Sequence, residues 1–334
     1  MINSLDLYKS ARRIRTIEQA LIDEYHPADE MRCPIHFCVG QEITPAALGL
    51  CLKPKDAIFS HYRSHGYYLA KGLPLDSMVA EFYGKASGAN GGAAGSMELA
   101  GENFHSGAIV GGLAGLAVGN AFAQKYRGES AITVSVFGDG AMDEGATYEA
   151  INLAVIYSLP VLFICENNGY AAHTSLEART KGNITDRAEA LGICAESWDD
   201  FEPEVLAREI NRLVKTVRKN RVPVFLEVGT YRTCGHVGAH DDSDLGYRSP
   251  EEIADRLEFD PLEYLRQRVG VGSACEVGFK EEIAQAIAAA KSAPMAHKPI
   301  FSLSNTSSNL NLPIISGLAS EFSSGQTESI PGPF

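Results

Sequence analysis

One stretch constrains the fold more than any other: AITVSVFGDGAMDEGATYEAINLAVIYSLPVLFICENNGY, residues 131–170. AITVSVF (131–137) is short, apolar and rich in β-branched residues, the pattern of a strand buried on both faces. GDGAMDEG reads as a turn. ATYEAINLAVIYS (146–158) sets Tyr148, Ile151, Ala154 and Val155 on one helical face, and PVLFICEN (160–167) is a second buried strand. A strand, a helix and a strand within about 40 residues make a βαβ unit, whose strands must run parallel. A third such strand, VPVFLEVGTYR (222–232), follows a charge-rich helix over 204–220. The class is therefore α/β with a mainly parallel sheet.

The same unit carries chemistry. Asp139 stands just past the first strand and Asn168 just past the second, twenty-nine residues later. A right-handed crossover puts the carboxyl ends of both strands at one edge. Open α/β sheets bind ligands at that edge. Gly138, Gly140 and Ala141 surround the aspartate with small residues, and a helix N-terminus there offers free N–H groups and a favourable dipole to phosphate. Asp139, Asn168 and a backbone carbonyl such as that of Tyr170 are hard oxygen donors. With phosphate oxygens they suit octahedral magnesium. The residues thus predict a magnesium–diphosphate site.

Around this core the chain has 334 residues, 21 % charged and 45 % apolar, with a net charge of −13. That length is one large domain or two ordinary ones. The acidic balance argues against a nucleic-acid partner or an anionic membrane surface. No apolar run reaches the ~20 residues of a membrane span. Residues 5–25 form an amphipathic helix rather than a signal peptide, so the expected location is cytoplasmic, with a mitochondrial matrix less favoured. A short apolar helix is expected over 41–52, with Pro45 in its first turn. Eleven of the thirty-two glycines fall between Gly84 and Gly119, which suggests backbone that approaches a ligand or another chain closely. The seven cysteines form no C-x-x-C pair and read as reduced, buried, structural thiols rather than zinc ligands. A functional domain over 1–295 is expected, followed by a Ser-rich, mostly irregular tail over 296–334.

The GDG…NN stretch resembles the thiamine diphosphate motif. Its wording is similar to that of the alpha subunits of the decarboxylating first component of 2-oxoacid dehydrogenase complexes (pyruvate, branched-chain oxoacid, acetoin). HFCVGQE (36–42), SHYRSHGYYLAKG (60–72), AGSMELA (94–100), GAIVGG (107–112) and TYRTCGH (230–236) match further blocks in the family's order, so the resemblance covers roughly residues 10–270. It implies a three-layer thiamine diphosphate-binding fold of the diphosphate-gripping type. Asp139 and Asn168, with the carbonyl of Tyr170, would hold Mg²⁺. Gly140 and Ala141 would donate N–H groups to the diphosphate, and Tyr62 and Arg63 would hold it from the other side, arginine because its planar fork binds phosphate in a bidentate way. Val110, and Ala108 where some members have glycine, would give backbone contacts to the aminopyrimidine. His236 would stand at the active-site mouth and contact the cofactor, while His36 and His65 match histidines that line the cavity.

The resemblance also implies an incomplete enzyme. The activating glutamate of the family belongs to a beta subunit, and this chain is too short for two cofactor-gripping domains plus a third. A heterotetramer of two alpha and two beta chains is expected, with the cofactor between chains and with the Gly-rich segment packing against a partner. The implied reaction is decarboxylation of a 2-oxoacid and acyl transfer to a lipoyl group on a carrier protein, with His236 moving a proton or orienting the acceptor. After His236 the family usually runs H-S-x-S-D, whereas this chain has HVGAHDDSD, with Ser243 as its only hydroxyl. That loop keeps open a two-subunit carboligase forming C–C bonds in a biosynthetic pathway. A third alternative is a non-catalytic assembly subunit, against which Asp139, Asn168, Tyr62, Arg63 and His236 all speak.

Overall fold

In the computed structural model, which describes residues 2–25, 31, 33–199, 202–270 and 274–297, the βαβ unit forms the middle of a seven-stranded sheet. Its strands are β1 (Ala57–Ser60), β2 (Ala100–Gly101), β3 (Phe104–Ser106), β4 (Thr133–Gly138), β5 (Val161–Asn167), β8 (Cys194–Trp198) and β9 (Val224–Gly229), while β6 (Tyr170–Ala171) and β7 (Thr174–Ser175) make a separate small hairpin. The spatial order is β2-β3-β1-β4-β5-β9-β8. Every pairing in the large sheet is parallel except β2 with β3. Strand β4 pairs with β5 from Thr133↔Val161 to Gly138↔Glu166, and β5 pairs with β9 on its other side. The strands predicted over 131–137, 160–167 and 222–232 are thus immediate neighbours, and the short β8 had no reading in the sequence.

Helices cover both faces, as a buried parallel sheet requires. One face carries α1 (Ser4–Glu24), α2 (Ile43–Cys51), α3 (His65–Ala70), α4 (Leu75–Phe82), α9 (Pro203–Asn220), α11 (Pro261–Val269) and α12 (Ala274–Ser292), whose apolar side chains join Val134, Val136, Leu162 and Ile164 in the main core. The other face carries α5 (Gly112–Tyr126), α6 (Gly145–Ile156) and α8 (Ile184–Glu189), which pack on Phe137, Val161, Phe163 and Cys165. Successive residues of β5 feed opposite cores, because side chains alternate along a strand. Two more helices, α7 (Leu176–Arg179) and α10 (Pro250–Glu258), lie near the carboxyl edge of the sheet. Pro45 sits in the first turn of α2, where its missing N–H costs no hydrogen bond.

Three expectations change. No α-helix starts at the GDG turn: Asp139–Asp143 is a single 3-10 turn, and α6 begins at Gly145, so the turn itself rather than a helix end shapes the backbone there. The glycines of 88–95 make a close approach within the chain itself, wrapping the carboxylate of Glu81, which is 1 % exposed. Glu81 accepts the N–H groups of Asn90, Gly92, Ala94 and Gly95 at 2.7–3.0 Å, and a Cβ on Gly88 would strike it. Buried thiols are found at Cys38, Cys165 and Cys234, whereas Cys194 is exposed and Cys33 and Cys51 are half-buried. The Cys275 side chain and the Ser-rich tail from Lys298 to Phe334 lie outside the described residues; the unit before the tail is Met1–His297. No helix among the described residues is long and apolar enough to cross a membrane.

The outer face of α5 and α6, with the residues just ahead of α5, exposes large apolar side chains. Tyr126 is 86 % exposed, Ile109 73 %, Ile156 63 % and Leu116 60 %, and a Cβ on Gly115 or Gly119 would meet nothing within 4 Å. Exposed apolar side chains of this size suit a contact with another protein.

Candidate functional site

A cavity of about 530 Å³ opens at the carboxyl ends of β4 and β5. One wall is local. Strand β4 ends at Gly138 and delivers Asp139, which is 1 % exposed, while β5 ends at Asn167 and delivers Asn168. Of the two asparagines, Asn167 turns away, donating to Glu227 on β9 at 2.8 Å and accepting from Gly169 N–H at 3.0 Å. Asn168 faces the cavity, and its side-chain oxygen accepts the Tyr170 N–H at 3.1 Å. Gly169 in this turn has φ +83°, a conformation that favours glycine. The Asp139 carboxylate receives the backbone N–H of Asn168 and an ion pair from Arg179 at the end of α7, which also binds Asp143. Burial raises the Asp139 pKa, and Arg179 only partly offsets the effect. Gly140 is required here because a Cβ would meet Ala171 Cβ at 2.9 Å, so β6 could not lie over the turn.

The opposite wall is assembled from afar. His36, His61, Tyr62, Arg63, Arg232 and His236 line it. The rings of His36 and Tyr62 are 4.5 Å apart, those of His36 and His236 5.1 Å, and those of Tyr62 and His236 5.7 Å. Arg63 is 4 % exposed and donates to the carbonyls of Phe37 at 2.6 Å and His236 at 3.0 Å, so each terminal nitrogen is anchored in the protein by one N–H and keeps a second. Burial, then the Arg63 charge, pushes the His36 pKa down to about 2. Burial, then Arg63 and Arg232, pushes His236 down to about 4. Both are neutral near pH 7. His61 accepts the Arg63 N–H at Nδ1 (3.0 Å), which leaves Nε2 to donate to Glu166 at 3.1 Å.

Tyr62, Arg63, Ala108, Val110, Asp139, Gly140, Ala141, Asn168, Tyr170, His36 and His236 all line this one cavity. His65 does not. It is fully buried behind the wall, with Nδ1 2.8 Å from Glu18, because it opens α3 on the core side of the loop. Sequence reasoning missed His61, Glu166, Arg179 and Arg232, which line the cavity too. Glu166 had a signal: it lies two residues before Asn168 on β5, and alternation puts both on the same side. Arg179 had none, since its approach to Asp139 depends on how the 170–179 hairpin folds. The loop after His236 folds back so that Asp242 accepts the His236 N–H at 2.7 Å and the Tyr247 hydroxyl at 3.0 Å. Among the described residues no group of three His, Cys, Asp or Glu side chains is placed to hold a metal ion, and a set completed by Asn168 and a carbonyl is of a different kind.

The chain is similar to known proteins over most of its length. The profile of a family described as the dehydrogenase E1 component matches residues 9–298. The chain is 36 % identical over 261 residues to the pyruvate dehydrogenase E1 component subunit alpha of Zymomonas mobilis, covering 75 % of this chain and 73 % of the relative. It is 35 % identical over 239 residues to the Rhizobium meliloti protein of the same description, covering 70 % and 68 %. The mitochondrial somatic-form alpha subunit of Homo sapiens is 32 % identical over 272 residues, covering 80 % and 68 %.

Proposed function

Because the chain belongs to the dehydrogenase E1 component family, we propose that it is the alpha subunit of a two-subunit, thiamine diphosphate-dependent 2-oxoacid dehydrogenase. The observation that carries this reading is the placing of Asp139 and Asn168 at adjacent strand tips on one cavity, joined by the Asn168 N–H. The residues suit the cofactor. The cavity has the size of a small-molecule site. Asp139, Asn168 and the Tyr170 carbonyl are an all-oxygen set for magnesium. Gly140 and Ala141 would give N–H groups to the diphosphate, with Tyr62 and Arg63 opposite, and Ala108 and Val110 would supply backbone contacts to the pyrimidine. Residues 1–295 would form this cofactor-gripping domain.

Thiamine diphosphate, when bound, supplies the nucleophilic thiazolium carbon at which a 2-oxoacid is decarboxylated. This chain's share is binding, orientation and proton handling. Buried Arg63 and Arg232 bring positive charge to the wall opposite Asp139 and Asn168, where a carboxylate substrate would be held. Neutral His36 and His236 would hydrogen-bond the substrate or orient an acceptor, and the Asp242–His236 N–H bond fixes the loop that presents His236. The missing activating glutamate would come from a beta chain seated on the apolar face of α5 and α6, in a complex of two alpha and two beta chains in the cytoplasm. A lipoyl carrier would take the acyl group. The closed loop at Asp242 favours a second reading, a carboligase whose acceptor is a small carbonyl compound.

The test is to prepare the chain with its beta partner, titrate thiamine diphosphate and Mg²⁺ by calorimetry, and assay 2-oxoacids with lipoamide or an aldehyde as acceptor. Binding that depends on both metal and beta chain, with lipoamide acylation, is expected. No cofactor binding by the complex would reject the proposal, and C–C bond formation without lipoamide would select the carboligase. Leu116→Asp on α5 should prevent assembly of the pair while leaving this chain folded.

A further inference from the structure

The strongest buried polar feature that the site chemistry leaves unused is Glu18. It sits in the middle of α1, is 0 % exposed, and lines no part of the cavity. A buried acidic group needs partners to offset its desolvation. Glu18 has two. Its Oε2 accepts the Cys38 N–H at 2.6 Å, and its Oε1 lies 2.8 Å from His65 Nδ1.

Both partners belong to segments that form the assembled wall. Cys38 follows His36 by two residues, and His65 follows Arg63 by two. The carbonyl of Phe37 and the N–H of Cys38 are the two ends of one peptide group. Arg63 holds the oxygen end at 2.6 Å, and Glu18 holds the N–H end at 2.6 Å. The peptide dipole therefore lies between a guanidinium and a carboxylate, each facing the pole that suits its charge. The ring closes through the backbone from Arg63 to His65 and back to Glu18. Among the described residues the Arg63 guanidinium donates to carbonyl oxygens and to no carboxylate, so this peptide relays the compensation of its buried charge.

We propose that Glu18 is a positioning residue of the active site: by clamping the Phe37–Cys38 peptide against Arg63 and fixing His65, it sets the orientation of His36 and of the Tyr62–Arg63 pair toward the cofactor. The proposal rests on the thiamine diphosphate reading above only for the identity of the ligand. It assigns to the N-terminal helix a part in ligand binding although that helix contributes no side chain to the cavity. Arg15 on the same helix face works alongside it, pairing with Glu42, which also accepts the Gly40 N–H at 3.0 Å.

The test uses the complex with the beta chain and two variants, Glu18→Leu and Glu18→Gln. Amide exchange of residues 35–40 is followed by mass spectrometry, with residues 7–17 of α1 as the internal control, and the affinity for thiamine diphosphate with Mg²⁺ is measured by calorimetry. Glu18→Leu should speed exchange at 35–40 and weaken cofactor affinity, each by about tenfold, the effect of one lost charge-assisted hydrogen bond. Glu18→Gln keeps the shape and an acceptor for Cys38, so it should show a loss of about threefold. It decides the matter alone if the leucine variant does not assemble. Unchanged exchange at 35–40, faster exchange with unchanged affinity, or exchange that rises equally in α1 would overturn the proposal. A complex that binds no cofactor even when unsubstituted removes the functional reading, and the exchange measurement then decides the clamp by itself.

Discussion

The wall of the cavity that carries Asp139 and Asn168 comes from two adjacent strands and the short turns at their ends. The wall that faces it joins Phe37, Arg63 and His236, and the Arg63–His236 bond spans 173 residues of sequence. The first wall is positioned by the sheet: its side chains stand where strand tips leave them, and few other contacts depend on them. The second is positioned by buried polar bonds, so the groups that would touch a ligand also hold the wall together. Function and stability should therefore separate on the first wall and stay coupled on the second.

Asp139→Ala is the largest expected effect and the cleanest test of the first wall. Loss of the proposed metal donor should weaken magnesium-dependent cofactor binding by at least about hundredfold. Arg179 keeps Asp143 as a partner, so the melting temperature should move by only a few degrees. Calorimetry and a thermal melt together decide it; a collapse of the fold would erase the contrast between the walls. Arg63→Ala should do both kinds of damage. The carbonyls of Phe37 and His236 lose their donor inside the protein, at a cost of about 2–4 kcal/mol, and cofactor affinity should fall with it. Urea unfolding measures the first loss and calorimetry the second. An Arg63→Ala protein that is as stable as the unsubstituted one would show that the second wall is held by something else.

His236→Ala sharpens the comparison within the second wall, because only its backbone carbonyl and N–H take part in the bonds that tie the wall together. Removing the imidazole should leave cofactor affinity within about threefold and lower turnover by about hundredfold, the usual contribution of a positioned acid or base. Steady-state kinetics at saturating cofactor give the answer, and unchanged turnover would remove His236 from the chemistry.

What could be read from the sequence follows the same division. β4, α6, β5 and β9 were legible because apolar runs of strand length alternate with one helical face, and Asp139 and Asn168 followed from the strand ends. Gly140 and the loss of Asn167 to Glu227 are consequences of that same local geometry. The second wall was reached only through resemblance. No periodicity indicates that Arg63 gives one donor each to two carbonyls, or that His65 turns into the core to meet Glu18 while His61, four residues earlier, turns to Glu166. Such choices are made by long-range partners, and β8 escaped notice for a related reason: CAESW has no apolar run, since its outer position at the sheet edge leaves it half-exposed.

The smallest expected effect is one of sign. Burial raises the pKa of Asp139 from 3.8, so the folded chain takes up a proton there before the unfolded chain does, and acidification through that range adds stability at the first wall. Burial, with the arginine charges, lowers His236 from 6.5 to about 4 and His36 to about 2, so the opposite holds at the second wall. The unfolded chain protonates both rings as the pH falls through 6.5, while the folded chain refuses until about 4 for His236 and lower still for His36. Unfolding then draws in protons, and stability falls between pH 6.5 and 4; above 6.5 neither ring contributes a slope. Urea midpoints recorded across that window should flatten in His36→Asn and His236→Asn, most in the double variant. They should steepen at the acid end in Asp139→Asn, which removes the opposing contribution. A double histidine variant that loses stability on acidification as steeply as the unsubstituted chain would mean that these rings are not held neutral by burial and by the arginines beside them, and that the second wall is less tightly closed than its hydrogen bonds indicate.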